Sequence, residues 1–203
     1  MRILHVTDLH FHKVQCEWVA KQSNEADVLC ITGDFLDDRL ECSTTLAAQV
    51  TWLRKWLSQI PIPVFVCSGN HDNPLDDESD ADHDWLNSIP NILGDNSQFK
   101  LNGVKFGCIP YQCENIERFS DCAVLLHHEP PSGLKTALQD RVDWGSEDLK
   151  SCLRLGAITP RWLLCGHVHR PLKNVSKYRS SIVSNPGSNR HLDTPNHHWI
   201  NIL

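Results

Sequence analysis

The sequence predicts an α/β fold built on parallel strands, and three observations carry that reading. Short apolar runs alternate with amphipathic segments through the first half of the chain, the pattern of strand–helix–strand units joined by right-handed crossovers. The second half changes character, with a hairpin signal followed by four further apolar runs. Most of these runs end in Asp, Asn or His, at the carboxyl ends of strands where open α/β sheets bind their ligands.

Taken in order, "RILHVT" (2–7) is a strand and a helix follows across 14–24. "DVLCIT" (27–32) is the second strand. The amphipathic stretch "STTLAAQVTWLRKWLSQI" (43–60) is a helix capped by Ser43 or Thr44. "PVFVCS" (63–68) is the third strand, and "FKLNGVKFGCI" is a hairpin turning at Asn102-Gly103. "CAVLLH" (122–127), "RWLLCG" (161–166), "SSIVSN" (180–185) and "HHWINIL" (197–203) are further strands. A helix near 146–156 has Ser146 as its cap and Gly156 as its stop. No repeat, low-complexity tract or linker divides the chain, so one domain over residues 1–203 is expected.

Composition narrows the function. No run of eighteen or more apolar residues exists, so no membrane span is expected, and "MRILHVTDLH" lacks the apolar length of a signal peptide. The nine cysteines are odd in number and show no Cys-x-x-Cys pair. Cys30, Cys67, Cys108 and Cys165 lie in strand-like runs, which favours buried, reduced thiols and a cytoplasmic location over a disulfide framework or a cysteine-based zinc site. The net charge of −6 is uneven: residues 1–100 hold 16 acidic and 7 basic side chains, residues 101–203 hold 9 and 12. With no basic run, the chain is a poor candidate for tight, sequence-independent nucleic-acid binding. Seven of the acids fall in residues 72–84, either a solvated loop or an electrostatic screen against long polyanions.

The chemistry is concentrated at the strand ends. "TDLH" supplies Asp8 and His10, "TGDF" supplies Asp34, and "SGNHD" supplies Asn70, His71 and Asp72. "LLHHEPP" offers His127 and His128, and "CGHVHRPL" offers His167 and His169. In an extended segment the His-x-His spacing puts both rings on one face, which suits two ligands converging on metal and equally two surface histidines. Five strands delivering such residues to one edge make the metal reading the stronger one.

These motifs, in this order over residues 8 to 169, resemble those of the calcineurin-like metallophosphoesterase superfamily: Asp8-x-His10, Gly33-Asp34, Gly69-Asn70-His71-Asp72, His128-x-Pro-Pro and Gly166-His167-Val168-His169. "SNPGS" (184–188) is similar to a further element near the C-terminus of small members. The resemblance implies a four-layer αββα sandwich of two mixed β-sheets with helices outside. It also implies two divalent metal ions (Mn, Fe or Zn). Asp8, His10 and His169 would hold one ion, Asn70, His128 and His167 the other, and Asp34 would bridge. Pro130 selects His128 over His127, because the family's ligand usually sits two residues before proline. His71 would be a non-ligating acid or electrostatic partner near the leaving group, and Asp72 would either orient that ring or cap a turn.

Subfamily features narrow the substrate. "FLDDRL" after Gly33-Asp34 lacks the Asp-Arg-Gly of Ser/Thr protein phosphatases, and Gly-Asn-His-Asp stands where those enzymes carry Gly-Asn-His-Glu. Nucleases with the same metal motifs are longer and carry DNA-binding domains. What remains resembles small, cap-free phosphodiesterases and phosphatases acting on a small phosphate ester, with Arg170 and Arg190 as candidate contacts to its oxygens. The alternatives are a metal-stabilised interaction scaffold of the same fold, or a nuclease. Scaffold-type relatives commonly lack the histidine after Asn, which this chain retains as His71. Oligomeric state is not legible.

Overall fold

The structure, a computed structural model, describes residues 1–72 and 84–202. Strands β1 (Arg2–Val6), β2 (Val28–Thr32), β3 (Val64–Cys67) and β4 (Ile92–Leu93) run parallel, and β13 (His197–Asn201) pairs antiparallel with β1 at the other edge. A second sheet has the mirror-like plan. Its four central strands β6 (Val104–Cys108), β7 (Val124–Leu126), β10 (Trp162–Leu164) and β12 (Ser181–Ser184) are parallel. Its edges β5 (Gln98–Leu101) and β11 (Val175–Tyr178) are antiparallel to their neighbours. A small hairpin, β8 (Leu138–Gln139) and β9 (Val142–Asp143), stands apart from both sheets.

Side-chain alternation explains why the two sheets must pack face to face. In β1, β2 and β3 the residues Leu4, Val6, Leu29, Ile31, Val64 and Val66 enter a core shared with helices α1 (Lys13–Gln22) and α2 (Leu46–Ser58). Their neighbours Ile3, Val28, Cys30, Phe65 and Cys67 face the other way and meet Phe106, Cys108, Val124, Leu126 and Leu164 of the second sheet. Phe65 and Phe106 stack across that interface at 4.3 Å between ring centroids. The outer face of the second sheet, including Leu125, Leu163 and Val183, is covered by α3 (Glu147–Leu155) through Leu149 and Leu153. Strands buried on both faces read as unbroken apolar runs, which is why the sequence signals them so clearly. The result is the four-layer αββα sandwich.

Most local expectations hold. Asn102 (φ 48°) and Gly103 (φ 84°) turn the β5–β6 hairpin. Ser146 caps α3 by accepting from Leu149 N, and Gly156 ends it in the left-handed region at φ 77°. The α2 cap differs: the helix begins at Leu46 and Thr45 caps it, not Ser43 or Thr44. The cause is Gln49, fully buried, whose side-chain amide donates to the carbonyls of Asp37 and Thr44 (2.8 Å each) and so holds residue 44 in the loop. All nine cysteines are free, and burial pushes the Cys30, Cys67, Cys108 and Cys165 thiols well up. Among the described residues no helix is long and apolar enough to cross a membrane.

Candidate metal centre

The loops after β1, β2, β3, β7 and β10 carry the predicted residues, and the sandwich brings them to one edge. Backbone bonds tie the loops together: Asp8 N donates to Gly33 O (3.1 Å), His10 N to Asp34 O (2.8 Å) and Gly166 N to His128 O (2.7 Å). Four of the predicted ligands hold left-handed backbone, Asp8 (φ 51°), His10 (41°), Asp34 (55°) and His167 (66°). For a non-glycine residue that conformation is disfavoured and persists only where surroundings enforce it. Its clustering at one strand edge marks the site. Gly166 is required for a different reason: a Cβ there would overlap Thr7 Oγ1 and crowd Asp8 Oδ2.

Two groups of donors form. In the first, Asp8, His10, Asp34 and His169 offer ligand atoms all within 4.8 Å of one another, a possible metal-binding cluster. His10 Nε2 lies 3.2 Å from His169 Nε2, and His169 Nε2 lies 3.3 Å from Asp8 Oδ1. Asp8 Oδ1 is buried without a hydrogen-bond partner among the described residues. An orphaned carboxylate oxygen beside two converging imidazole nitrogens is costly as it stands and fits a cation. In the second group Asn70 Oδ1 faces His128 Nε2 (3.1 Å) and His167 Nδ1 (2.9 Å). Asp34 Oδ2 lies between the groups, 3.3 Å from His128 Nε2 and 3.7 Å from His10 Nε2.

Outer partners set the orientation of these donors. His10 Nδ1–H donates to Leu36 O (3.2 Å) and His128 Nδ1–H to Thr32 O (2.7 Å), which assigns Nε2 of both rings to the centre. Thr7 Oγ1 donates to Asp8 Oδ2 (2.6 Å), and His167 N donates to the same oxygen (3.1 Å). The "SNPGS" element is a bracket. The Asn185 side-chain amide reaches the carbonyls of Gly166 (2.9 Å) and Val168 (3.1 Å), and Ser188 Oγ donates to Asp8 O (2.9 Å). Electrostatics follow from burial and pairing. Burial would lower the His128 imidazole, but Asp34 beside it outweighs that and raises it to about 10. Burial would raise Asp34, yet His128 and His10 hold it well below the usual carboxylate range. Burial lowers His10 and His167 to about 4 each.

Several sequence readings change. The 165–169 segment is not extended: Val168 N bonds back to Gly166 O (2.7 Å), so His169 joins the Asp8 group while His167 joins Asn70. Asp72 does not orient His71. Its Oδ1 accepts from the backbone N–H groups of Phe35 (2.7 Å) and Leu36 (3.1 Å), and its Oδ2 from those of Asp34 (2.7 Å) and Gly69 (2.8 Å). It therefore clamps the Asp34 loop from behind, where burial, and then Asp34, raise its carboxyl to about 7. The partner of His71 is Asp38, whose Oδ1 lies 2.8 Å from His71 Nδ1, though not aligned as a hydrogen bond. Arg170 pairs at the surface with Asp140 (2.8 Å) instead of turning to the centre. Arg190 is half-buried, 3.9 Å from Asp37, and its charge acts on His10. Of the acidic stretch 72–84, residues 73–83 lie outside the described residues.

His127 and His128 separate as strand alternation requires. His127 is buried and turned to Glu129 O (2.9 Å), while His128 meets Asp34 and Asn70. His128→Ala is expected to weaken metal binding at least tenfold, with His127→Ala leaving it within about threefold, a contrast of ligand against bystander. Metal titration of both variants checks this, and the reverse order would show that the register at the end of β7 is misassigned.

The family described as calcineurin-like phosphoesterase matches residues 1–171. A search of curated protein sequences finds no match. Among solved structures, a Thermus thermophilus protein aligns with TM-score 0.64 at 12% identity over 97% of each chain. A structure described as a novel archaeal phosphodiesterase aligns with TM-score 0.53 at 13% identity, covering 98% of this chain and all (100%) of that one. A hypothetical protein, also of Thermus thermophilus, gives TM-score 0.53 at 11% identity over 92% of this chain and 76% of that one. At these identities the likenesses speak to the fold, and the family match, spanning every strand-end motif that builds the centre, places this chain among the calcineurin-like phosphoesterases.

Proposed function

We propose that the protein is a dinuclear metal-dependent hydrolase of a small phosphodiester or phosphomonoester, formed as one domain and working in a reducing, cytoplasm-like compartment. The observation that supports this best is Asp34, one carboxylate facing both donor groups through His10 and His128. Asp8, His10 and His169 would hold one ion, Asn70, His128 and His167 the second, and Asp34 both. Mixed imidazole, carboxylate and amide donors suit Mn, Fe or Zn rather than Mg or Ca. When bound, such a pair offsets the negative charge of the phosphate and lowers the pKa of a water.

The chain supplies the rest. Thr7, Leu36 and Thr32 keep the donors in place, so that little reorganisation accompanies the reaction. Hydrolysis adds a water oxygen to phosphorus and breaks the ester P–O bond, and the departing oxygen needs a proton. His71, partly exposed at the mouth beside Asp38, is placed to give it. Arg190, anchored near Asp37, is placed to meet a non-bridging oxygen.

Two ions per chain should bind at saturation, measured by metal analysis after gel filtration. Loading should release protons, because the Asp34 carboxylate favours the protonated His128 imidazole and a cation would take that proton's place, so affinity should rise with pH. The loaded protein should hydrolyse at least one of bis-p-nitrophenyl phosphate, p-nitrophenyl phosphate or a cyclic nucleotide. A single ion at saturation would refute the dinuclear reading; two ions without turnover on any of these would favour the scaffold.

A further inference from the structure

Trp144 stands at the mouth of the metal centre with 51% of its surface exposed. It lines a cleft of about 300 Å³ with Asp34, Asn70, His71, Gln139 and His167, and its ring meets His167 edge-on at 6.3 Å. Leaving a large aromatic half exposed forgoes burial that would stabilise the fold, so its placement beside reactive groups calls for a ligand. Its backbone is also held firmly. Trp144 N donates to Ala137 O (3.0 Å), Gly145 N to Asp143 Oδ1 (3.0 Å) and Ser146 N to Pro130 O (2.8 Å). At Gly145 a Cβ would lie 2.5 Å from Ser132 Cα, so the chain passes flush against the loop that begins at His128. An aromatic on an anchored backbone has only its two side-chain torsions to fix when something stacks on it, a small loss of freedom.

The second observation is Gln139. Its Oε1 accepts from Arg170 N (2.8 Å), which fixes the amide, and its NH₂ group has no hydrogen-bond partner among the described residues. The cleft thus offers a flat π-face and a fixed donor next to the phosphate position. We propose that Trp144 is a stacking platform for the nucleobase of a nucleoside phosphate ester, with the Gln139 amide donating to an acceptor on the base edge. This rests on the phosphoesterase reading for the location of the phosphate. A base presents a planar face and carbonyl or ring-nitrogen acceptors, which this pair satisfies. The sequence has no run of basic residues of the kind that tracks a long polynucleotide, which favours a ligand of mononucleotide size.

The test uses Mn²⁺-loaded full-length protein titrated calorimetrically with thymidine 5′-monophosphate and with 2-deoxyribose 5-phosphate, in which a C1 hydroxyl replaces the base. The nucleotide should bind roughly 10- to 100-fold more tightly, the span of one base–aromatic stack. Trp144→Ala should collapse that gap and Trp144→Phe should keep most of it. Equal affinity of the wild type for both ligands, or a gap that survives Trp144→Ala, would overturn the platform. So would an equal loss for both ligands in Trp144→Ala, which would mean that the ring meets the sugar. Hydrolysis, measured separately, distinguishes the two readings: a base-dependent gap without turnover leaves the platform and removes the hydrolase, whereas turnover without the gap does the opposite.

Discussion

Asp34→Asn is expected to lower kcat/KM by about 10³-fold or more and to reduce the occupancy of both metal positions together. The substitution is nearly isosteric, so its effect is chemical. Asparagine can still accept the His71 N–H that Asp34 Oδ1 now receives at 3.0 Å. Its other atom would then be an NH₂ group facing His10 and His128, a donor where a lone pair and a negative charge are needed. Several kcal/mol of charge stabilisation would be lost, and each 1.36 kcal/mol is a factor of ten in rate. Removal of a ligand to one ion alone, as in His169→Ala, should leave the other position filled. Paired measurements of metal content and initial rate check both claims. An Asp34→Asn protein that keeps one full-occupancy ion, or wild-type activity, would show that this carboxylate does not serve both groups.

Sequence and structure agree best where burial constrains both faces of a strand. β3, β7 and β10 are apolar throughout, β1 and β2 depart from this only at Arg2, His5 and Thr32, and the polar residues just past them are legible because the contrast is abrupt. Less legible elements had weaker causes. β8 and β9 are two residues each, and β11, "VSKY", is an edge strand with alternating exposure and one aliphatic residue. The same limit applies to the site. Asp8, His10, Asp34 and His169 could be listed from motif order, but their supports are long-range. Asp72 sits 38 residues from the Asp34 N–H it accepts, and Asn185 sits 19 from Gly166. Of the two sequence readings of Asp72, the turn cap holds through Gly69 N, while its clamp on the Asp34 loop is not legible from its position beside His71. Asp38 was visible only as a departure from a phosphatase motif, and no local pattern pairs it with His71. Trp144 carried no signal, because exposure, not residue type, distinguishes it from the other six tryptophans.

His71→Ala is expected to lower turnover by about 10²–10⁴-fold with both metals retained, the range for loss of a general acid. Among the described residues its ring meets the centre through an edge-on approach to His10 at 5.3 Å, and its backbone N–H to Asp34 survives the substitution. Donor geometry should therefore persist, and metal analysis of the variant would register any change. The loss should depend on the leaving group. An alkoxide departs only with a proton, whereas p-nitrophenolate departs readily without one, so the deficit should be large for alkyl esters and small for p-nitrophenyl esters. Asp38→Asn should cost far less, about fivefold at most, because this pair is partly exposed, with 33% and 45% of the two side chains open to solvent. Such pairs contribute about 1 kcal/mol or less. A uniform loss across leaving groups in His71→Ala would mean that the ring positions substrate and delivers no proton. A loss in Asp38→Asn as large as that in His71→Ala would mean instead that the carboxylate is itself the group that meets the substrate.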